Sequence, residues 1–208
     1  MKNEQEYIKD ISEIRSMMER STRFLSLTGW AGIMAGIYAL AGTYIAYLLY
    51  YSQPEGFLYS SFERQEVTAN MLSLVSLGTL ILVLAVGTAV YLSYRKARKN
   101  GQPLWNPVAR RLVSSMAIPL VAGGILILLL MFQGFIGLAA PLSLIFYGLA
   151  LVNAGRFTFD ELRSLGITQV VLGLLSSWFI GYALLLWGLG FGLMHIAYGI
   201  YMQQKYDK

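Results

Sequence analysis

The side chains in this sequence with the widest chemical scope are few and neutral. His195 is the single histidine. It lies between Gly192 and Gly199 in an apolar run, and Trp187 and Phe191 precede it at four-residue steps on the same side of a helix. An ionisable ring in such a run is expected to face a bundle interior, a cavity or a polar partner, and near neutral pH imidazole can take up or release a proton. Two readings follow. One is a pocket that handles a solute, ligand or proton; the other is a neutral ring bonded to a nearby Ser, Tyr or backbone carbonyl. Ser176 and Ser177, near the outer end of the preceding apolar run, and Tyr198 complete the candidate cavity set of His195, Trp187, Phe191, Ser176, Ser177 and Tyr198.

Other chemistries lack their parts. No cysteine is present, which excludes disulfides, thiolate metal sites and thiol nucleophiles. One histidine cannot assemble a metal centre or a bis-histidine haem, so no metal and no cofactor are expected. Apart from Asp160 and Glu161 at the entry to the fifth, the apolar runs carry no Asp or Glu for a di-aspartyl protease or a carboxylate proton relay. The stretch Gly188-Leu189-Gly190-Phe191-Gly192 has neither the lysine nor the strand of a phosphate loop. In a six-helix count and in a histidine followed by glycine on the last helix, the chain resembles rhomboid-like intramembrane proteases. That resemblance would imply a serine–histidine hydrolase with G-x-S-G on the fourth helix. The fourth run reads Pro141-Leu142-Ser143-Leu144, and the fifth reads Leu175-Ser176-Ser177-Trp178 without flanking glycines. A base without a positioned nucleophile and oxyanion donors does not make a hydrolase, so no enzyme is expected.

These residues sit in long apolar elements. The chain is 56% hydrophobic and only 13% charged, against roughly a quarter charged in ordinary soluble domains. Between Phe24 and Tyr94 the only charged side chains are Glu55, Glu63, Arg64 and Glu66. The runs approach the ~20 apolar residues that cross a bilayer. They predict an all-α integral membrane protein, a bundle of six transmembrane helices at about 25–51, 70–94, 108–132, 136–155, 159–179 and 182–201. A cytoplasmic amphipathic helix over residues 1–24 precedes the bundle (25–204), and a short tail, 205–208, follows it. The first 23 residues are densely charged and lack an apolar h-region, so no cleavable signal peptide is expected.

Fifteen of the sixteen Lys and Arg residues fall in alternate connections, and Arg64 alone lies on the other side. By the positive-inside rule both termini are cytoplasmic, and a bacterial inner (plasma) membrane is the expected location. The net charge of +5 then reads as topology and not as a nucleic-acid surface. Trp30 and Trp105 near the inner boundary, with Tyr47, Tyr50, Tyr51 and Trp178 near the outer one, suit interfacial belts.

In residues 3–23, Tyr7, Ile11, Ile14 and Met18 form one apolar stripe flanked by balanced charges. Such a helix can pack on the bundle's inner face, dimerise, or dock a cytoplasmic protein. Thr158 with Glu161, and Ser60 with Glu63, have capping-box spacing. Short connections at 133–135 and 180–181 require antiparallel hairpins.

Gly29, Gly32 and Gly36 in the first run, and Gly188, Gly192 and Gly199 in the sixth, have the spacing of close helix packing. Pro119 with Gly123–Gly124, and Pro141, are places for a kink. Arg156, Asp160, Glu161 and Arg163 at the inner rim read as a charge network that can involve Arg110, Arg111 or the N-terminal helix. Hydroxyls in the spans can line a cavity for a neutral or weakly polar solute. The functional expectation is a small permease or channel-like protein; the alternative is a non-catalytic sensor or interaction subunit acting through residues 3–23.

Overall fold

The computed structural model describes residues 24, 27–50, 64–101 and 103–206; the expectations for residues 3–23, Ser60 and Glu63 lie outside them. Every regular element among the described residues is helical. Helix α1 is Gly29–Tyr50, α2 is Arg64–Lys99 and α3 is Pro107–Phe132. Helix α4, Ile136–Ala154, opens with a 3-10 turn; α5 is Asp160–Trp178, and α6 is Ile180–Tyr206.

Five of these helices (α1, α2, α3, α4 and α6) are long and apolar enough to cross a bilayer. Helix α5 is 19 residues long, roughly 28 Å at 1.5 Å per residue. It carries Asp160, Glu161, Arg163 and Gln169 and does not share that apolarity.

The packing order is α2 on α1, α1 on α6, α6 on α4 and α5, and α3 on α4. Close backbone approach joins the helices where glycines meet. It is concentrated at two seams. On the α1–α6 seam, a Cβ at Gly36 would lie 2.6 Å from the Gly192 carbonyl oxygen, and one at Gly199 would lie 2.6 Å from that of Gly29. Gly32 faces the His195 carbonyl, and Gly188 faces Thr43.

On the α4–α5 seam, Cβ atoms at Gly148 and Gly166 would meet each other's carbonyl oxygens at 2.6 and 2.7 Å. Gly155 and Gly173 extend this contact seven residues to either side. The glycines of α4 and α5 repeat every seven residues, so a search for four-residue spacing misses them.

Helix ends follow local chemistry. Asn106 accepts from the Ala109 N–H at 2.8 Å, with Pro107 next in the first turn of α3, where its missing N–H costs nothing. Gly134 (φ +93°) reverses the chain after α3 in a region that side-chain-bearing residues avoid. Pro119 interrupts the ladder inside α3 and leaves the Ser115 carbonyl without its usual donor; Asn153 of α4 reaches that oxygen at 3.5 Å.

Three expectations are corrected. Pro141 introduces no kink, because it sits in the first turn of the α-helical part of α4, where a proline breaks no helical bond. The Thr158–Glu161 capping box does not form. The residue at the cap of α5 is Phe159, the Thr158 hydroxyl is buried without a partner, and one Glu161 oxygen takes Lys205 and Tyr206. Of the two rim carboxylates, Glu161 pairs with Lys205 and not with Arg110 or Arg111; the N-terminal helix, the other expected partner, lies outside the described residues. That pairing and the Phe159–Tyr206 ring contact, with centroids 4.3 Å apart, join the end of α6, helical as far as Tyr206, to the start of α5.

Phe24 is buried against α3, α4 and α5, and its N–H bonds to the Phe157 carbonyl at 2.6 Å. Gly166→Leu should destabilise the bundle by about 1–3 kcal/mol or more through overpacking, whereas Gly124→Ala, with nothing within 4 Å of the new Cβ, should be neutral. Urea titration of the detergent-solubilised protein measures both.

Candidate functional site

Helix α6 is not uniform. Between α-helical Ala183–Trp187 and His195–Tyr206 lies a π-helical stretch, Gly188–Met194, whose bonds close to the fifth residue on. Three of its seven residues are glycines, and the middle one, Gly190, faces α4 and α5. A Cβ there would lie 2.6 Å from both Gln169 Oε1 and Leu144 Cδ2. Gly190 has no side chain because Gln169 and Leu144 occupy the space.

The Gly190 carbonyl is the centre of the site. Gln169 Nε2 donates to it at 2.7 Å, and His195 Nδ1 lies 3.0 Å from it. A carbonyl only accepts, so these partners assign the proton to Nδ1 and orient the Gln169 amide with its nitrogen inward. The other ring nitrogen, Nε2, then accepts from the Tyr147 hydroxyl at 2.8 Å. Gln169 Nε2 and His195 Nδ1, 3.4 Å apart, are two donors converging on one oxygen and not a bond to each other. Both nitrogens of the imidazole are satisfied by the protein, and the ring is buried.

Trp187, Phe191 and His195 form a column, with ring centroids 4.9 Å and 5.8 Å apart and the last two nearly parallel. Tyr147 of α4 closes on Phe191 at 4.9 Å and on His195 at 5.4 Å. At the top of the column Trp187 Nε1 donates to Ser143 Oγ at 3.0 Å, and Ser143 in turn donates to the Ala140 carbonyl. The serine on the helix that carries the nucleophile in rhomboid-like proteases is thus engaged by a tryptophan.

The remaining candidates lie apart from this cluster. Ser176 is fully buried with its hydroxyl unpartnered. Ser177 donates to the Gly173 carbonyl at 3.0 Å. Tyr198 packs beside the Phe24 core cluster, its hydroxyl buried and without a partner. No Ser–His hydrogen bond joins either serine to His195 among the described residues.

Most span hydroxyls also turn back on their own helices. Thr43, Ser76, Ser114, Ser115, Ser143, Thr168 and Ser177 each donate to a carbonyl three or four residues earlier. Tyr38 reaches further, meeting Thr88 of α2 at 3.2 Å.

Gln169, Gly190 and Tyr147 are the members that sequence reasoning did not place in the site. Gln169 had a signal, as an amide in mid-span needs a partner in lipid. Tyr147 and Gly190 had none, because one is an ordinary aromatic and the other one glycine among many. Compared with protein families, curated proteins and solved structures, the chain has no significant match.

Replacing His195 by Ala strips the Tyr147 hydroxyl of its acceptor, removes one donor from the Gly190 carbonyl and leaves a cavity. The expected loss is about 2–5 kcal/mol, read as a lower midpoint of thermal unfolding in detergent. His195→Asn, which can still donate to Gly190, should lose less.

Proposed function

We propose that this chain is a six-span integral membrane protein with both termini cytoplasmic, and that it works as a non-catalytic interaction or sensing subunit. The observation that carries this reading is the saturation of His195. Its two nitrogens are bonded to Gly190 and Tyr147, so the one histidine of the chain is committed to holding helices together. A permease for a neutral or weakly polar solute would draw on hydroxyls facing a passage, and seven of them instead bond to their own helices. A hydrolase would draw on a serine within reach of the imidazole, and Ser143 is bonded to Trp187.

Six spans require α5 to cross as well. Its polar residues are tolerable because α4 and α6 enclose it, with Leu162, Leu165, Gly166, Gln169, Gly173 and Ser176 all buried. Helix α2 is about 54 Å long at 1.5 Å per residue, longer than the ~30 Å hydrocarbon core. Its excess length carries Arg95, Lys96, Arg98 and Lys99 into the cytoplasmic headgroup region. The partner surface is residues 3–23. The Phe24 anchor that follows them ties that segment to the start of α5 and the bundle core.

Two experiments test this reading. Affinity purification of the full chain from its own membrane, compared with a variant lacking residues 1–22, should lose a stoichiometric partner or the homo-oligomer; an unchanged set of associated proteins and an unchanged size overturn the reading. Because the chain has no cysteine, single Glu55→Cys and Lys99→Cys variants report topology directly. In intact cells an impermeant maleimide should label position 55 and leave position 99 unlabelled until the membrane is opened. The opposite pattern reverses the orientation.

A further inference from the structure

The π stretch of α6 has a consequence for motion that is independent of the interaction-subunit reading. In a 3.6-residue helix, eight steps of about 100° turn through about 800°, leaving residues i and i+8 about 80° apart around the axis. Trp187 and His195 are eight steps apart, and yet Trp187, Phe191 and His195 stack in one column. The wide turn absorbs one extra residue and brings Trp187 back over His195. Its retention depends on the Gly190 carbonyl, which two side chains hold from outside the backbone ladder.

We propose that the outer part of α6, residues 180–187, moves between two registers: the π register seen here and an all-α register offset by one residue. His195 and Gln169 form the latch that holds the first. Closing the ladder to four-residue bonds turns the outer part by about 100° and shifts it by about 1.5 Å relative to the inner part. Gly188 then takes the position of Trp187 against Ser143, and Leu189 takes that of Gly188 against Thr43. The inner part stays anchored through Gly199 on Gly29 and through Lys205 on Glu161.

Two features make the second register accessible. Thr43 lies on the wall of a groove of about 440 Å³ between α1 and outer α6, lined also by Leu40, Tyr44, Tyr182, Leu184 and Leu185. The groove receives the leucine that replaces a glycine at that contact. The run Leu184-Leu185-Leu186 also lets a one-residue slip exchange leucine for leucine over the middle of the outer segment. Straightening releases the Trp187 N–H from Ser143 and the Gly190 carbonyl from its two side-chain donors, so the latch residues set the balance between registers.

Disulfide trapping in the full-length protein in lipid nanodiscs tests this, because the chain has no cysteine of its own. A Cβ at Gly188 would lie 3.4 Å from Thr43 Cβ, close to the roughly 3.5–4.5 Å of a disulfide. Thr43→Cys with Gly188→Cys therefore reports the π register, and Thr43→Cys with Leu189→Cys the α register. Thr43→Cys with Leu193→Cys, on the exposed side of α6, gives the background. With the latch intact, the Leu189 pair should oxidise more slowly than the Gly188 pair but clearly above background.

Adding His195→Ala or Gln169→Leu singly should raise the Leu189-to-Gly188 rate ratio at least tenfold, and His195→Asn should return it most of the way. A Leu189 pair at background with the latch intact overturns the proposal without any latch variant having to fold. An unchanged ratio in both folded latch variants overturns it as well.

Discussion

The arrangement of α4, α5 and α6 is organised around one oxygen, the Gly190 carbonyl, on which two side-chain donors converge. Gly190 presents it, Gln169 and His195 donate to it, and Tyr147 fixes the far side of the imidazole. The side chains come from α4, α5 and α6, so the three helices share one polar network. The missing Cβ of Gly190 is part of the same arrangement, because Gln169 and Leu144 fill the space that it would need.

Around this centre the helices divide by how much they are enclosed. Of the six, helix α5 alone falls short of the apolarity that crossing a bilayer takes, and its Gln169 amide and Ser176 hydroxyl are buried. Helix α2 is the reverse. Among the described residues it packs chiefly on α1, joined by the Tyr38–Thr88 contact and, just before α1, by Lys96 on the Leu27 carbonyl, and it exposes Leu72, Leu80, Leu82 and Val83. Exposure of that kind is what an acyl-chain surrounding permits.

The two glycine seams act differently from the polar centre. They bring α1 to α6 and α4 to α5 at backbone distance, setting where the helices lie without deciding their rotation. Rotation of α6 is decided by the wide turn, which aligns Trp187 and Phe191 with His195 and joins the column to Ser143 through the indole N–H. A helix whose placement and rotation are set by separate contacts can change one without the other.

Composition and periodicity were sufficient to read long apolar helices and the short turn at 133–135, because helix formation in an apolar stretch needs only local hydrogen bonds and no distant partner. The second connection lies at Phe179, with Ile180 and Gly181 already in the first turn of α6. They also marked His195, since a lone ionisable group in a span stands out whatever surrounds it. Capping was misread from local spacing. Thr158 and Glu161 have the right separation, yet Lys205 and Tyr206, more than forty residues away in the chain, bind the carboxylate. Tertiary structure alone decided what His195 touches, that Gly190 and not Gly192 carries the shared carbonyl, and that α6 widens by one residue. Each of these depends on which helices meet: glycine spacing marks faces that can pack closely, but which face meets which, and which donors converge on the Gly190 carbonyl, is decided only when the helices come together.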